Sequence, residues 1–127
     1  TIFMAMSEAA DGKDVIGLSE LSQMLKAAEE ELFTIVDARK GDKTLVDSLS
    51  PAIDAVQQAA AAEVDFRSAL DTMCAASGQG KERTRGLTAR YGRASRLGER
   101  SRGVLDAGAV SCDLLLNAMA QGIGELL

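Results

Sequence analysis

Arginine residues are concentrated in one part of this 127-residue sequence, between Lys81 and Arg102. That segment holds eight of the fourteen basic residues and two of the nineteen acidic ones. Its central stretch, GRASRLGERSRG from Gly92, interleaves arginine with glycine, alanine and serine. A guanidinium group stays charged and donates two parallel hydrogen bonds to phosphate oxygens, and glycine lets a ligand approach the backbone. The segment therefore indicates either an anion-binding loop or a solvated basic face.

A second candidate is the stretch GDKTLVDSL, which starts at Gly41. N–H groups at a helix start, together with the Lys43 amine and the Thr44 hydroxyl, would form a corner that attracts anions. The stretch lacks the order of residues that a Walker-type phosphate loop requires. The alternative is an ordinary capped helix start with a solvated lysine, because Thr44 and Asp47 match a capping box.

A third candidate is LDAGAVSCDLLL, in which Asp106 and Gly108 stand directly before a helical pattern. Aspartate is a common N-cap, and this is one interpretation. The other is a second helix N-terminus that faces a phosphate or a ribose.

Helices are the elements that must position these segments. Apolar residues recur at spacings of three and four, aromatic residues make up only 3% of the chain, and no strand-like alternation is present. The pattern predicts an all-α fold of about five helices, with the basic segment as a loop before the last one. We expect Pro51 to kink the third helix; the alternative is that Pro51 is the first residue of a helix capped by Ser50. The predicted spans are residues 1–10, 19–39 (with Ser19 as N-cap), 44–62, 64–91 and 109–127.

Composition excludes several classes of function. The net charge of −5 argues against a general nucleic-acid binder. Cys74 and Cys112 do not have a metal-ligand spacing and the chain has no histidine, so we expect no metal site and no histidine base. Buried free thiols fit a cytoplasmic location.

The last predicted helix is apolar but is not expected to span a membrane. Polar residues interrupt it every four positions and would form one polar face of an amphipathic helix. These residues are Asp113, Asn117, Gln121 and Glu125.

Taken in order, the three stretches resemble the nucleotide-binding L subunit family of dihydroxyacetone kinase. The family pattern is GD[KR]T-x-x-D-x-L-x-P-A, then GRASYLGERS, then DPGA-x-S. This chain has GDKTLVDSLSPA, GRASRLGERS and DAGAVS, and the resemblance extends over its whole length. Two positions depart from the pattern: Arg96 replaces the family's tyrosine and Ala107 its proline. Neither change removes an expected nucleotide contact.

The resemblance implies a barrel or bundle of antiparallel helices with ADP or ATP bound at one end. Arg93 would be the catalytic residue beside the terminal phosphates, and Leu45 would pack on the adenine. The nucleotide-binding residues implied by the motifs are Gly41, Thr44, Leu45, Arg93, Asp106, Ala107 and Gly108.

Family members also carry an N-terminal region with aspartates that hold Mg²⁺ and a loop that clasps the nucleotide. This chain begins after both, so we expect residues 1–127 to be the C-terminal part of a single ADP/ATP-binding helical domain. We expect no metal ligands in it. We also expect this part alone to bind nucleotide poorly, to be inactive and to form oligomers.

The resemblance further implies a partner, the K subunit, which carries dihydroxyacetone on a histidine. In one branch of the family, a phosphohistidine protein of the phosphotransferase system supplies the phosphoryl group. The LGERS motif of this chain resembles the sequence found in that branch. Two alternatives stay open: a noncatalytic helical module whose basic loop binds a protein or an anionic surface, and a relative that acts on another short keto-sugar.

Overall fold

Five α-helices and two 3-10 segments make up the chain in a computed structural model. The structure describes residues 1–91 and 95–127 with their side chains, and residues 93 and 94 by their backbone alone. No strand occurs in those ranges, so the predicted all-helical fold of about five helices is confirmed. The helices are α1 (Ile2–Ala9), α2 (Leu18–Ile35), α3 (Val46–Ala61), α4 (Phe66–Arg83) and α5 (Ala107–Leu126), and the 3-10 segments are Thr84–Gly86 and Arg93–Ser101.

The N-cap of helix α2 lies two residues before the predicted cap, Ser19. Gly17 is its N-cap, and the Gly17 N–H donates to Glu20 Oε2 at 3.0 Å. The predicted Ser19 cap is wrong because the Glu20 carboxylate reaches back to Gly17 and closes the first turn there. The helix ends at Ile35, before Arg39, because Val36 is extended.

Helix α4 also ends earlier than the prediction, at Arg83 and not at Tyr91. The chain tightens into the 3-10 turn Thr84–Gly86, where the Thr84 hydroxyl donates to the Lys81 carbonyl at 2.6 Å. The basic segment, which we expected to be an irregular loop, contains the 3-10 segment Arg93–Ser101. Gly98 interrupts that segment with a φ of 55°.

Helix α3 continues through Pro51, as predicted. Proline has no N–H, so the Asp47 carbonyl one turn earlier lacks its helical donor. Gly80 of α4 lies against that carbonyl, and a Cβ at position 80 would collide with its oxygen. The proline in one helix and the glycine in the next therefore mark a close approach between α3 and α4.

The hydrophobic core is built around α3, which packs against α2, α4 and α5. Its members are leucine, isoleucine, valine, methionine and alanine, as the scarcity of aromatic residues predicts. The buried core side chains of these helices include Leu21, Leu25, Ala28, Leu32, Val46, Leu49, Ala52, Ile53, Val56, Leu70, Met73 and Leu116.

A buried polar network joins α3, α4 and α5 beside this core. The Ser48 and Ser77 hydroxyls lie 2.8 Å apart, and Ser77 donates to Asp113 Oδ1 at 2.7 Å. The other Asp113 oxygen pairs with Lys81 Nζ at 3.1 Å. Asp113, which the sequence assigned to one polar face of the last helix, is buried, and its carboxylate binds Ser77 and Lys81 of α4.

An apolar groove of about 300 Å³ runs between α1 and α5. Phe3 is 66% exposed on one side of it and Leu115 is 58% exposed on the other. The groove floor includes Leu25 of α2 and Leu49 of α3. In the described ranges, none of the helices has the length and apolar character that a membrane span requires.

Candidate functional site

The start of α3, the basic segment and the start of α5 surround one pocket of about 450 Å³. Five of the residues predicted to bind nucleotide line it together, although the two segments that contribute them lie about sixty positions apart in the chain. These five are Thr44, Leu45, Asp106, Ala107 and Gly108. The other lining residues are Lys43, Tyr91, Leu97, Ser101, Val104 and Leu105.

The two segments meet where Gly108 faces Leu45. A Cβ at position 108 would stand 3.6 Å from the Leu45 Cβ and 3.5 Å from its backbone nitrogen. It would stand 3.1 Å from Asp106 Oδ2, which is tighter than an ordinary contact. Glycine therefore keeps this side of the pocket open at the first turn of α5.

Asp106 is the N-cap of α5. Its Oδ2 accepts the Ala109 N–H at 2.9 Å, and its own N–H donates to the buried Thr84 hydroxyl at 2.9 Å. The capping interpretation of this aspartate is confirmed. The first-turn N–H groups of a helix have no intrahelical acceptors and carry partial positive charge, so the pocket edge formed by Ala107 and Gly108 favours an anion.

The corner at the start of GDKT is occupied by the chain's own carboxylate. Asp47 Oδ1 accepts the Gly41 N–H at 2.6 Å, and Asp47 Oδ2 accepts the Thr44 N–H at 2.9 Å. Gly41 has a φ of 96°, which suits glycine, and it is not among the residues that line the pocket. The role of Gly41 in nucleotide binding stays a prediction. Of the predicted capping box, the bond from the Thr44 N–H to Asp47 is present, but the N-cap of α3 is Leu45, one residue after Thr44.

Lys43 is not a solvated lysine, so that interpretation from the sequence is wrong, while its interpretation as an anion ligand stays a prediction. Lys43 is only 2% exposed to solvent. The Lys43 Nζ lies 2.5–3.3 Å from four backbone carbonyl oxygens, those of Thr84, Leu87, Ser101 and Val104, which share its three N–H donors. Burial lowers the pKa of Lys43 below its usual range, while the nearby Asp106 charge acts in the opposite direction.

A second, more apolar pocket of about 340 Å³ adjoins the first. It shares Thr44, Leu45 and Tyr91 with the first pocket, so these three residues stand between the two. The sequence analysis missed Tyr91. A usable signal existed, since Tyr91 is the chain's only tyrosine and directly precedes Gly92.

Arg93, the predicted catalytic residue, has a side chain that lies outside the described residues, and Gly92 lies outside them entirely. Its neighbours in the basic segment form surface ion pairs. Arg90 pairs with Asp42 at 3.5 Å and Arg102 with Glu99 at 3.6 Å. The role of Arg93 stays a prediction.

The described residues do not form a magnesium site. In residues 1–91 and 95–127, no group of three or more His, Cys, Asp or Glu side chains is placed to hold a metal ion. Mg²⁺ prefers several oxygen ligands in octahedral geometry, and Asp106 is the one carboxylate that lines the 450 Å³ pocket. The described residues therefore supply at most one carboxylate ligand to a metal ion in this pocket.

The sequence of this chain matches the model of a known family. The family model of the DAK2 domain covers residues 1–121, and the chain belongs to that family. The chain is 30% identical over 125 residues to the ADP-binding subunit DhaL of the PEP-dependent dihydroxyacetone kinase of Escherichia coli, covering 98% of this chain and 60% of that protein. It is 35% identical over 121 residues to the DhaL subunit of dihydroxyacetone kinase 1 of Listeria innocua, covering 95% of this chain and 55% of that protein.

A relative with another substrate in its name is also similar. The chain is 34% identical over 95 residues to the L-erythrulose 1-kinase of Mycolicibacterium smegmatis, covering 75% of this chain and 16% of that protein. The chain thus spans little more than half the length of the DhaL subunits that it matches.

Proposed function

We propose that this chain is the C-terminal part of the nucleotide-binding domain of a dihydroxyacetone kinase, and that ADP or ATP binds in the 450 Å³ pocket. One observation carries the proposal. Thr44 and Leu45 lie across a single pocket from Asp106, Ala107 and Gly108, although the two segments are far apart in sequence. Family membership over residues 1–121 and the names of the DhaL relatives support the same assignment.

The pocket offers a nucleotide two kinds of surface. Leu45, Leu97 and Val104 provide apolar area for a base, and the exposed Tyr91 ring lies beside them. The start of α5 provides N–H groups and a positive dipole end for a ribose or a phosphate. In this proposal Arg93 approaches the terminal phosphates and stabilises the charge that develops as the phosphoryl group is transferred.

The acceptor in the proposed reaction is dihydroxyacetone bound to a K subunit. No histidine occurs in these 127 residues, so in this proposal the histidine that carries the keto-sugar, and any phosphohistidine donor, lie outside them, on a K subunit or domain and on a phosphotransferase-system protein. A phosphotransferase-system protein that rephosphorylates bound ADP fits the family branch named by the DhaL relatives. The erythrulose kinase relative keeps a second keto-sugar open as the substrate.

Nuclear magnetic resonance titration of the chain with ADP and Mg²⁺ tests the nucleotide site. We expect the amide resonances of Leu45, Ala107 and Gly108 to shift. The amide resonance of Ser68, in the first turn of α4 and outside the pocket lining, should not shift. The affinity should be weak, because the family's aspartate region is not in this chain, and chemical shifts report weak binding directly. Unmoved amides at millimolar ADP would favour the noncatalytic module that binds a protein or an anionic surface.

A valine substitution at two glycines of α5 sharpens this test. Gly108→Val places side-chain atoms between Asp106 and Leu45, so ADP affinity should fall about tenfold or more. Gly122→Val is the matched control, because a Cβ at position 122 meets nothing within 4 Å. Equal ADP affinity in the two variants would place the nucleotide elsewhere.

A further inference from the structure

The basic segment leaves and re-enters the helical bundle at one place. The chain departs after the 3-10 turn Thr84–Gly86 and returns before Asp106, and the two sides of this base are joined by hydrogen bonds. The Ala89 N–H donates to the Ser101 hydroxyl at 2.8 Å, and the Gly103 N–H donates to the Arg85 carbonyl at 2.7 Å.

Lys43 lies at the centre of this base. Two of its four carbonyl partners, those of Thr84 and Leu87, come before the stretch GRASRLGERSRG. The Ser101 carbonyl lies near the end of that stretch, and Val104 directly follows it. One buried ammonium therefore joins both ends of the segment to the start of α3. The adjacent residue, Asp42, adds a carbonyl that accepts the Arg90 N–H at 3.2 Å.

The backbone of Lys43 has a conformation that suits glycine. Its φ is 62°, in the left-handed region that glycine adopts without strain. Lys43→Gly therefore removes the side chain without adding steric strain to the backbone. Every contact that the structure gives the ammonium is to a carbonyl at the base of the basic segment.

We propose that Lys43 is a positioning residue: its ammonium closes the base of the basic segment and so holds the wall formed by Leu97, Ser101 and Val104 against the nucleotide pocket. The residue acts through the segment, because its four carbonyl partners already surround the amine. This role in ligand binding rests on the proposed function, whereas closure of the base is a property of the fold and is tested separately.

Hydrogen exchange measured on three variants tests the closure. In Lys43→Gly and Lys43→Met, protection of the Ala89, Arg90 and Gly103 amides should fall about tenfold or more, because a buried charged hydrogen-bond donor is lost. The amides of Leu25 and Leu32 in α2 are the internal reference and should change less. Lys43→Arg keeps the positive charge and provides the test if Lys43→Gly and Lys43→Met unfold. Its planar guanidinium cannot gather four carbonyls at one atom, so the same three amides should lose protection to a smaller extent.

Ser101→Ala is the matched control for a local loss at the base. It removes the hydroxyl that Ala89 contacts but leaves the Ser101 carbonyl to the ammonium, so Ala89 alone should lose protection. Unchanged exchange at Arg90 and Gly103 in Lys43→Gly would overturn the proposal, because glycine satisfies the backbone and removes only the side chain.

ADP titration of the same variants tests the consequence for the pocket. Lys43→Gly should weaken ADP binding about tenfold, and Ser101→Ala by less than Lys43→Gly. An open base with wild-type ADP affinity would overturn the positioning role. A loss of ADP affinity with the base still protected would mean that Lys43 contacts the ligand itself, which also overturns it. Absence of ADP binding by the wild-type chain would instead contradict the proposed function, and the exchange result would still decide the closure.

Discussion

At the scale of single residues, three charged side chains that the structure describes are buried and have partners inside the fold. The Lys43 ammonium is enclosed by carbonyls, Asp47 accepts two backbone N–H groups, and Asp113 pairs with Lys81. Buried charges with full sets of partners are tolerated, but removal of one partner leaves the other uncompensated. Roles assigned to these residues from charge alone therefore miss what they contact.

Arg93 and Arg102 should differ in their contribution to turnover if the proposed function holds. Arg93→Ala should reduce phosphoryl transfer by roughly two orders of magnitude in the complete kinase, because a charged donor to developing phosphate charge is typically worth a few kcal/mol. Arg93→Lys should recover only part of the rate, since an ammonium lacks the bidentate fork. Arg102 is an exposed partner of Glu99, so Arg102→Ala should cost little. Equal, mild losses would show that the segment is a diffuse basic face.

Cys112 should react slowly with alkylating reagents at mildly alkaline pH. Burial, with a smaller effect of the Asp113 charge, raises the pKa of the Cys112 thiol to about 11 from an ordinary value of 9.0. At pH 9 the folded chain should hold roughly one thiolate per hundred molecules, against about half in the unfolded chain. Iodoacetamide labelling of a Cys74→Ala variant from pH 8 to 11, with and without urea, measures the difference. Similar rates in the two states at pH 9 would contradict it.

The same shift gives the pH dependence of stability. The folded thiol holds its proton to a higher pH than the unfolded thiol, so between pH 9 and 11 the unfolded state binds fewer protons. The contribution of Cys112 to the free energy of unfolding is present in full below pH 9 and is lost as the pH rises through 11.

At the scale of elements, glycines define how closely the helices approach. Gly80 lets the Asp47 carbonyl of α3 approach α4 closely. Gly108, at the start of α5, lets Leu45 approach that helix. Both stand at helix positions where isolated propensity favours alanine. The sequence alone shows only a cost of glycine in α4, since the compensating contact lies on another helix.

Alanine substitution of the two glycines in α4 should shift stability in opposite directions. Gly80→Ala should lower the free energy of unfolding by about 1–3 kcal/mol, because the new Cβ collides with backbone. Gly78→Ala should raise it by up to about 1 kcal/mol, because a Cβ there meets only Asp113 Oδ1, at 3.9 Å, and alanine favours helix. Urea unfolding followed by circular dichroism compares the two. Equal effects would mean that α3 and α4 are not in close contact at Gly80.

At the scale of the whole molecule, the fold could be predicted further than the site. Apolar spacing of three and four residues depends on local geometry, so the five helices were predictable to within a few residues at most ends. The C-terminal end of α4 was not predictable, because the turn at Thr84 depends on a hydrogen bond from the Thr84 side chain to the Lys81 carbonyl. The sequence motifs indicated Thr44, Leu45, Asp106, Ala107 and Gly108 as pocket residues. The burial of Lys43 could not be predicted, because its four acceptors lie more than forty residues away in the chain.

The apolar groove between α1 and α5 leads to a prediction about the state of the chain in solution. Phe3 and Leu115 are more than half exposed on its two sides, and an exposed apolar face of this kind promotes association. We expect sedimentation velocity to show concentration-dependent self-association. Leu115→Lys should weaken it, since a charge would have to be buried in the contact. Val15→Lys is the matched control, because Val15 is 81% exposed in the α1–α2 connection and does not line the groove. A wild-type chain that stays monomeric at every concentration would contradict the prediction. Equal weakening by the two lysines would place the contact outside the groove.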